Sequence, residues 1–469
     1  MPLYVLAAAV PAIVVALLFA THTDRRPPNG EITIPAGPVT ARELVAQARE
    51  LTAQRNEASL RHAVRLYEQA LAQAPGNRDV RASLSVALSK LVAWYGDEKA
   101  LVLRAERLAR EAMADGAFFG GEAALGFALD AQGRMEPAQQ AYERAVALDP
   151  TDWGARASLA YLLQEKGRLV EALSHNVIAF GRAPPGTLDV QVAICLRLLG
   201  FDAVASEWLD RMDRLDPDSA HAAPARALDL MTSGRIGEAD AVITDALARG
   251  VNQIELYEYR VVLALLDRDI AAAAAVVESI PASLSHRGSA IVWRHVVDAA
   301  AGSAAAAAQD VAADLESGIR DGDTWPGTLL YIALLHAAAG NHDEAIDALQ
   351  RLDTAGYRDY RWLDLLPTFD GMRDDARYRA VIRNMREDVD ALLQEFYRKF
   401  YGPAAVPMET YWSAIYAAWA DTIITEHEHF VAPAIYTPQV IETCRRSLAE
   451  AEKWLAPNLG YNRESRSAA

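Results

Sequence analysis

A spacing of 34 residues constrains this chain more than any other feature. Leu125-Gly126, Gly133, Ala138, Tyr142, Ala145 and Pro150 recur 34 positions later as Leu159-Ala160, Gly167, Ala172, Asn176, Ala179 and Pro184. A repeat of this length holds two short helices and one tight turn, and it buries an apolar face only by stacking on its neighbours. Each position has a physical reason. Gly126 and Ala160 sit where the first helix of a pair crosses the second, so a small side chain lets the backbones approach. Gly133 and Gly167 end the first helix, where a residue in the left-handed region is needed. Ala138 and Ala172 begin the packed face of the second helix, and Tyr142 fills the space between the pair. Pro150 and Pro184 stop the second helix. The one large-to-polar change is at Asn176.

Weaker copies flank these two. Ala63, Tyr67, Ala70 and Pro75 mark the second helix of an early pair, and Thr40 with Glu43 predicts a capping box that opens its first helix. Trp208 and Asp216-Pro217 end a later unit. Gly234, Ala239, Ile243 and Ala246 fit another, and so do Gly340, Ala345, Leu349 and Leu352. The stretches around Asp267-Arg268-Asp269 and Gly302 read as degenerate pairs. The period predicts about eight to nine helical pairs between Ala41 and Tyr357.

This pattern resembles the tetratricopeptide repeat. The resemblance implies an all-α superhelical solenoid of antiparallel helix pairs, right-handed, whose first helices line a concave face where peptides lie. A narrower resemblance covers residues 41–385. Ala41 to Pro75 is similar to the opening repeat of the tetratricopeptide modules of membrane-anchored bacterial regulators. Trp362-Leu363, Phe369, Met372, Arg373-Asp374-Asp375 and Arg377-Tyr378 resemble their closing segment. Those regulators carry an effector domain ahead of the membrane segment. None precedes it here, so the resemblance implies no transcriptional or cyclase output.

Composition agrees with a helical solenoid. Of 469 residues, 52% are hydrophobic and 23% charged, which excludes disorder for the bulk of the chain. Much of the apolar share is alanine, the best helix former. A net charge of -17 repels nucleic-acid backbones, and no nucleic-acid partner is expected. Cys195 and Cys444, the two cysteines, form no disulfide framework or metal motif. Leu3 to Ala20 is uncharged and apolar over 18 residues, the lower edge of a membrane-spanning helix. Residues 1–20 are therefore expected to be a bacterial inner-membrane anchor or a cleaved signal segment, the anchor being favoured by its length and charge, with residues 21–40 as a Pro/Gly-rich linker. The side is left open: Arg25 and Arg26 pull it toward the cytoplasm, whereas the resembling modules are periplasmic. Residues 386–460 read as a helical cap, with Tyr411, Trp412, Ile415, Tyr416, Trp419 and Ile423 on one broad face. That face covers the last repeat or serves self-association. Residues 461–469 read as a disordered tail.

No phosphate-binding loop, dinucleotide fingerprint or nucleophile elbow occurs. Glu426-His427-Glu428-His429 is not a zinc motif. Two histidines two apart diverge by roughly 200° on a helix and cannot share one ion. No metal or cofactor is expected. The concave positions of the two best repeats hold Ala123, Phe127, Asp130, Ala157, Tyr161 and Gln164. The Lys and Asn clamp of the chaperone-binding members is absent there. The expected partner site is Phe127 and Tyr161 as apolar anchors, with Asp130 and Gln164 as orienting polar groups. These readings together predict a non-catalytic scaffold that binds a protein or peptide. A sensor partner of an effector on another chain is the alternative, and a metal-dependent enzyme using the C-terminal region is a third.

Overall fold

The computed structural model describes residues 39–54, 57–95, 99–184, 186–215, 221–285, 288–303, 305–420 and 437–455. The expected membrane segment, nearly all of the linker, the Glu426–His429 cluster and the tail lie outside these. Among the described residues every regular element is helical, and no helix is long and apolar enough to cross a membrane. Contacts divide the chain into a repeat body ending at Val389 and a C-terminal body beginning at Asp390.

Among the described residues, the repeat body holds nine consecutive helix pairs followed by two further helices. The pairs are α1 (Ala41–Ala53) with α2 (Glu57–Gln73), α3 (Arg78–Tyr95) with α4 (Lys99–Ala112), and α5 (Phe119–Asp130) with α6 (Met135–Leu148). Next come α7 (Trp153–Glu165) with α8 (Leu169–Phe180), α9 (Asp189–Leu198) with α10 (Asp202–Leu215), and α11 (Ala222–Thr232) with α12 (Ile236–Ala248). The last three are α13 (Ile254–Leu266) with α14 (Ile270–Glu278), α15 (Gly288–Ala300) with α16 (Ala305–Arg320), and α17 (Pro326–Ala338) with α18 (His342–Thr354). First helices also pack on the next first helix, α3 on α5 and α11 on α13 among them, so each pair buries its face on its neighbours. The short α19 (Tyr360–Leu365) and a 3-10 turn (Pro367–Met372) follow, and α20 (Ala376–Tyr401) closes the run.

The predicted repeat positions do what their chemistry requires. Tyr142 is fully buried, and a Cβ added at Gly126 would lie 2.6 Å from its ring, so the missing side chain makes room for the phenol. In the next pair the same two positions hold Ala160 and the shorter Asn176, both fully buried. Small opposite large, then larger opposite smaller, keeps the gap filled. Gly133 and Gly167 have φ of +72° and +71° and end α5 and α7. Ala138, Ala172, Ala239, Ile243, Ala345 and Leu349 are wholly buried. The Thr40–Glu43 capping box forms in both directions, at 2.8 and 3.3 Å. At the degenerate seventh pair Arg268 takes φ +58° where other turns use glycine.

In the C-terminal body, α21 (Ala405–Ala420) packs on α22 (Pro438–Leu455). The Phe396 and Phe400 rings lie tilted at 32° with centroids 4.6 Å apart, and the Trp412 indole donates to the Tyr401 hydroxyl at 2.9 Å. Of the expected aromatic face, Tyr411 and Trp412 meet edge to face at 5.1 Å; the other side chains lie outside the described set. Pro438 opens α22, as a proline at a first helical position does. No break occurs at residue 386, where the cap was expected to begin: α20 runs through it.

Candidate functional site: the interior of the superhelix

The repeat body winds until its late turns meet its middle ones. The turns after α5, α7 and α9 each receive a segment about 160 to 190 residues further on. Thr324 donates its backbone N–H to the Gly133 carbonyl at 2.8 Å, and its hydroxyl accepts from the Met135 N–H at 3.1 Å. Gly167 and Gly356 pack backbone to backbone. A Cβ on Gly356 would lie 2.2 Å from the Lys166 carbonyl oxygen. Arg197, at the end of α9, forms a two-armed ion pair with Asp359 at 2.5 and 3.2 Å. Arg361 of α19 reaches Asp202 with 2.8 Å contacts and also donates to the Arg197 carbonyl. Burial works against the Asp359 charge, but Arg197 and Arg361 hold its carboxyl below the usual range.

This closure gives the concave face a roof. Tyr161 of α7 is surrounded by charge and phenol groups from α5, α13 and α17, yet keeps 37% of its surface open. Asp130, half-buried at the end of α5, points toward Glu165 and the Tyr142 hydroxyl. Burial, reinforced by Glu165, pushes the Asp130 carboxyl up to about 7, and the Tyr142 hydroxyl opposes the shift. Burial raises Glu165 as well, although the Trp325 indole donates to it at 2.9 Å. The nearby carboxylate of Glu165 is the leading reason, followed by burial and Asp130, that the Tyr161 phenol is held far above its ordinary range.

The four residues expected from sequence are distributed as follows. Asp130 and Tyr161 lie close enough for the Asp130 carboxylate to act on the Tyr161 phenol. Phe127 is half-buried, with its ring edge-on to Tyr142 at 5.7 Å and the Lys90 ammonium 5.7 Å above it, so it is part of the packing between helices. Gln164 is buried at 8% exposure, and its Oε1 finds no hydrogen-bond partner. Its neighbour Glu165, one residue on and with a carboxylate, is the group that meets Asp130. Sequence reasoning missed Glu165, Glu255, Trp325 and Tyr331. The last three come from pairs one superhelical turn away. Only Trp325, an aromatic immediately before the first-turn Pro326, offered a local signal.

Two further concavities lie elsewhere on the repeat body. One of about 220 Å³ lies beside Gly200, Asp202, Arg358 and Arg361, whose arginines are already paired. A shallow groove of about 470 Å³ runs between α1 and α3, along Arg42, Val45, Arg49 and Val80. No group of metal-ligating side chains occurs among the described residues.

Residues 141–174 and 328–354 each match a family model described as tetratricopeptide repeat. The second match covers α17 and α18, and the first runs from α6 into α8. Among solved structures, the chain is similar to a tetratricopeptide repeat protein from Parabacteroides merdae. That pair has 14% identity and a TM-score of 0.32, over 70% of this chain and 98% of that one. It is also similar to the C-terminal part of a repeat-containing protein from Cytophaga hutchinsonii, with 16% identity, a TM-score of 0.30, and 54% and 98% coverage. A third is the Cut9–Hcn1 hetero-tetramer, with 15% identity, a TM-score of 0.36, and 88% and 93% coverage. No curated protein matches in sequence.

Proposed function

Because tetratricopeptide repeats build this chain, and such repeats are protein-interaction modules, we propose that it is a non-catalytic scaffold that takes a protein or peptide partner on its concave face. The observation that carries this reading is Tyr161, a large aromatic left 37% open on a first helix of its pair, the helices that line the concave face. Aromatics of this kind contribute about 2 kcal/mol or more each at protein interfaces. Residues 1–20 anchor the scaffold in a bacterial inner membrane, with the repeat body in the periplasm. The apolar run and the linker after it support the anchor, and the periplasmic side rests on the resemblance to periplasmic modules, against the pull of Arg25 and Arg26.

The test uses the full chain and the partner it retains from its own membrane fraction. Tyr161→Ala should weaken that complex at least about tenfold, roughly 1.4 kcal/mol, with little change in melting temperature. Phe127→Ala is the comparison: its ring packs on Tyr142, so it should melt earlier. An unchanged complex with Tyr161→Ala would remove the concave face from consideration.

A further inference from the structure

The first pair opens a gap that the later pairs close. α3 packs along α5, but α1 makes no comparable contact with α3, and the groove of about 470 Å³ lies between them. Repeat register puts this groove on the same surface as Phe127 and Tyr161. Those two each follow the small buried residue of their first helix, Gly126 and Ala160. In α1 the fully buried small residue is Ala48, and the residue after it is Arg49. Arg42 lies seven residues earlier, two helical turns or about 10.5 Å along the axis, and lines the same groove. Neither guanidinium has an ion pair or a hydrogen bond among the described residues, although the chain carries a net charge of -17. Between them runs an apolar strip, the half-buried Val45 and the buried Val80. Asp79, at the start of α3, is the one carboxylate on the lining. The Asn77 Oδ1 caps that helix, accepting from the Asp79 and Val80 N–H groups at 3.1 and 3.2 Å, so the groove's open positive charge is that of the two arginines. Their spacing selects a shape. A chain in the polyproline II conformation returns to the same face every third residue, about 9 Å further on. A β-strand returns every second residue, about 7 Å on, and fits the pair less well.

We propose that the groove between α1 and α3 docks an extended acidic segment of the partner protein. Two carboxylate side chains three residues apart meet Arg42 and Arg49, and an apolar side chain between them lies against Val45 and Val80. The proposal rests on the concave-face reading and gives that partner a charge and a spacing.

Titration calorimetry on the full chain tests it. The probe is a short peptide with blocked ends and two glutamates three residues apart, with proline and valine between them. The same peptide with glutamines is the comparison. The wild-type chain should bind the glutamate peptide saturably and not the glutamine peptide. Arg42→Gln with Arg49→Gln should weaken that binding at least about tenfold. Arg65→Gln with Arg107→Gln, the same change in net charge at two exposed residues of α2 and α4, should leave it intact. Asp79→Asn, which removes the carboxylate on the lining, should strengthen it. A gain in affinity cannot come from misfolding, so this variant decides the matter should the double arginine variant fail to fold. The proposal is wrong if the glutamate peptide does not saturate by about 1 mM, if the glutamine peptide binds equally well, or if the exposed pair of substitutions costs as much as the groove pair. Binding to phosphatidylglycerol vesicles that depends on Arg42 and Arg49, with no peptide binding, would assign the groove to lipid and overturn it too. A partner complex still weakened by Tyr161→Ala when no acidic peptide binds would leave the scaffold reading standing and overturn this one alone.

Discussion

At Gly126 one hydrogen atom in place of a methyl group decides how closely two helices approach. The Tyr142 ring occupies that space and is buried on all sides, so it cannot yield. Gly126→Ala gains about 1 kcal/mol of helix propensity but overpacks the crossing by about 1–3 kcal/mol. A lower denaturation midpoint is expected. In a Tyr142→Asn background, which reproduces the Ala160–Asn176 pairing of the next repeat, the same substitution should become neutral or stabilising. A sign that does not change would mean the two positions do not share the space. Asp130 makes a second prediction at this scale. Its carboxyl is raised to about 7, above the roughly 4 of an unfolded chain. The contribution it makes to stability is complete below about pH 4 and is lost as pH rises through about 7. The melting temperature of Asp130→Asn minus that of wild type should therefore grow from pH 5 to pH 8. A constant difference would place Asp130 in ordinary solvent. Both residues stood out in the sequence, Gly126 by its period and Asp130 by its place in the concave register. The protonation state of Asp130 was not legible, because Glu165 lies on another helix.

Among the elements, the nine pairs followed from the period, since each turn needs its own backbone conformation and each crossing its own small residue. Even the degenerate seventh pair was visible, with Arg268 standing where glycine is usual. The role of α19 was not. The Trp362-Leu363 segment read as a terminal cap, yet its helix contacts α11 and its Arg361 reaches Asp202. A single sequence gives no signal for an ion pair between residues 162 positions apart, such as Arg197 with Asp359. The pair is nearly water-free, with side-chain exposures of 4% and 10%. Removing one partner of such a pair leaves a buried charge and costs about 3–5 kcal/mol. Asp359→Asn should cost this much in denaturant unfolding at neutral pH. The Asp359 carboxyl is depressed, so its contribution is present above the unfolded pKa of about 4 and lost as pH falls through the lower folded value. The gap between variant and wild type should accordingly narrow in acid. A cost under about 1 kcal/mol, typical of an exposed ion pair, would contradict a closed junction between the α9 turn and α19.

For the repeat body as a whole, the winding of nine pairs brings the segments at Thr324, Gly356 and Asp359 onto the turns at Gly133, Gly167 and Arg197. Local periodicity fixes the repeat but not the number of repeats that complete a turn. That number depends on a small rotation at each interface, summed over many. The concave face was therefore expected as a groove without the junctions that tie its late segments to its middle turns, and Tyr161 is an aromatic left partly open on it. Inner and outer surfaces of the same chain can be compared directly. A benzophenone amino acid placed at Tyr161, and separately at Leu148 on the exposed side of α6, reports which surface a partner touches in the full-length protein. A discrete partner adduct from position 161 and none from position 148 is the predicted result. An adduct from 148 with none from 161 would contradict binding on the concave face.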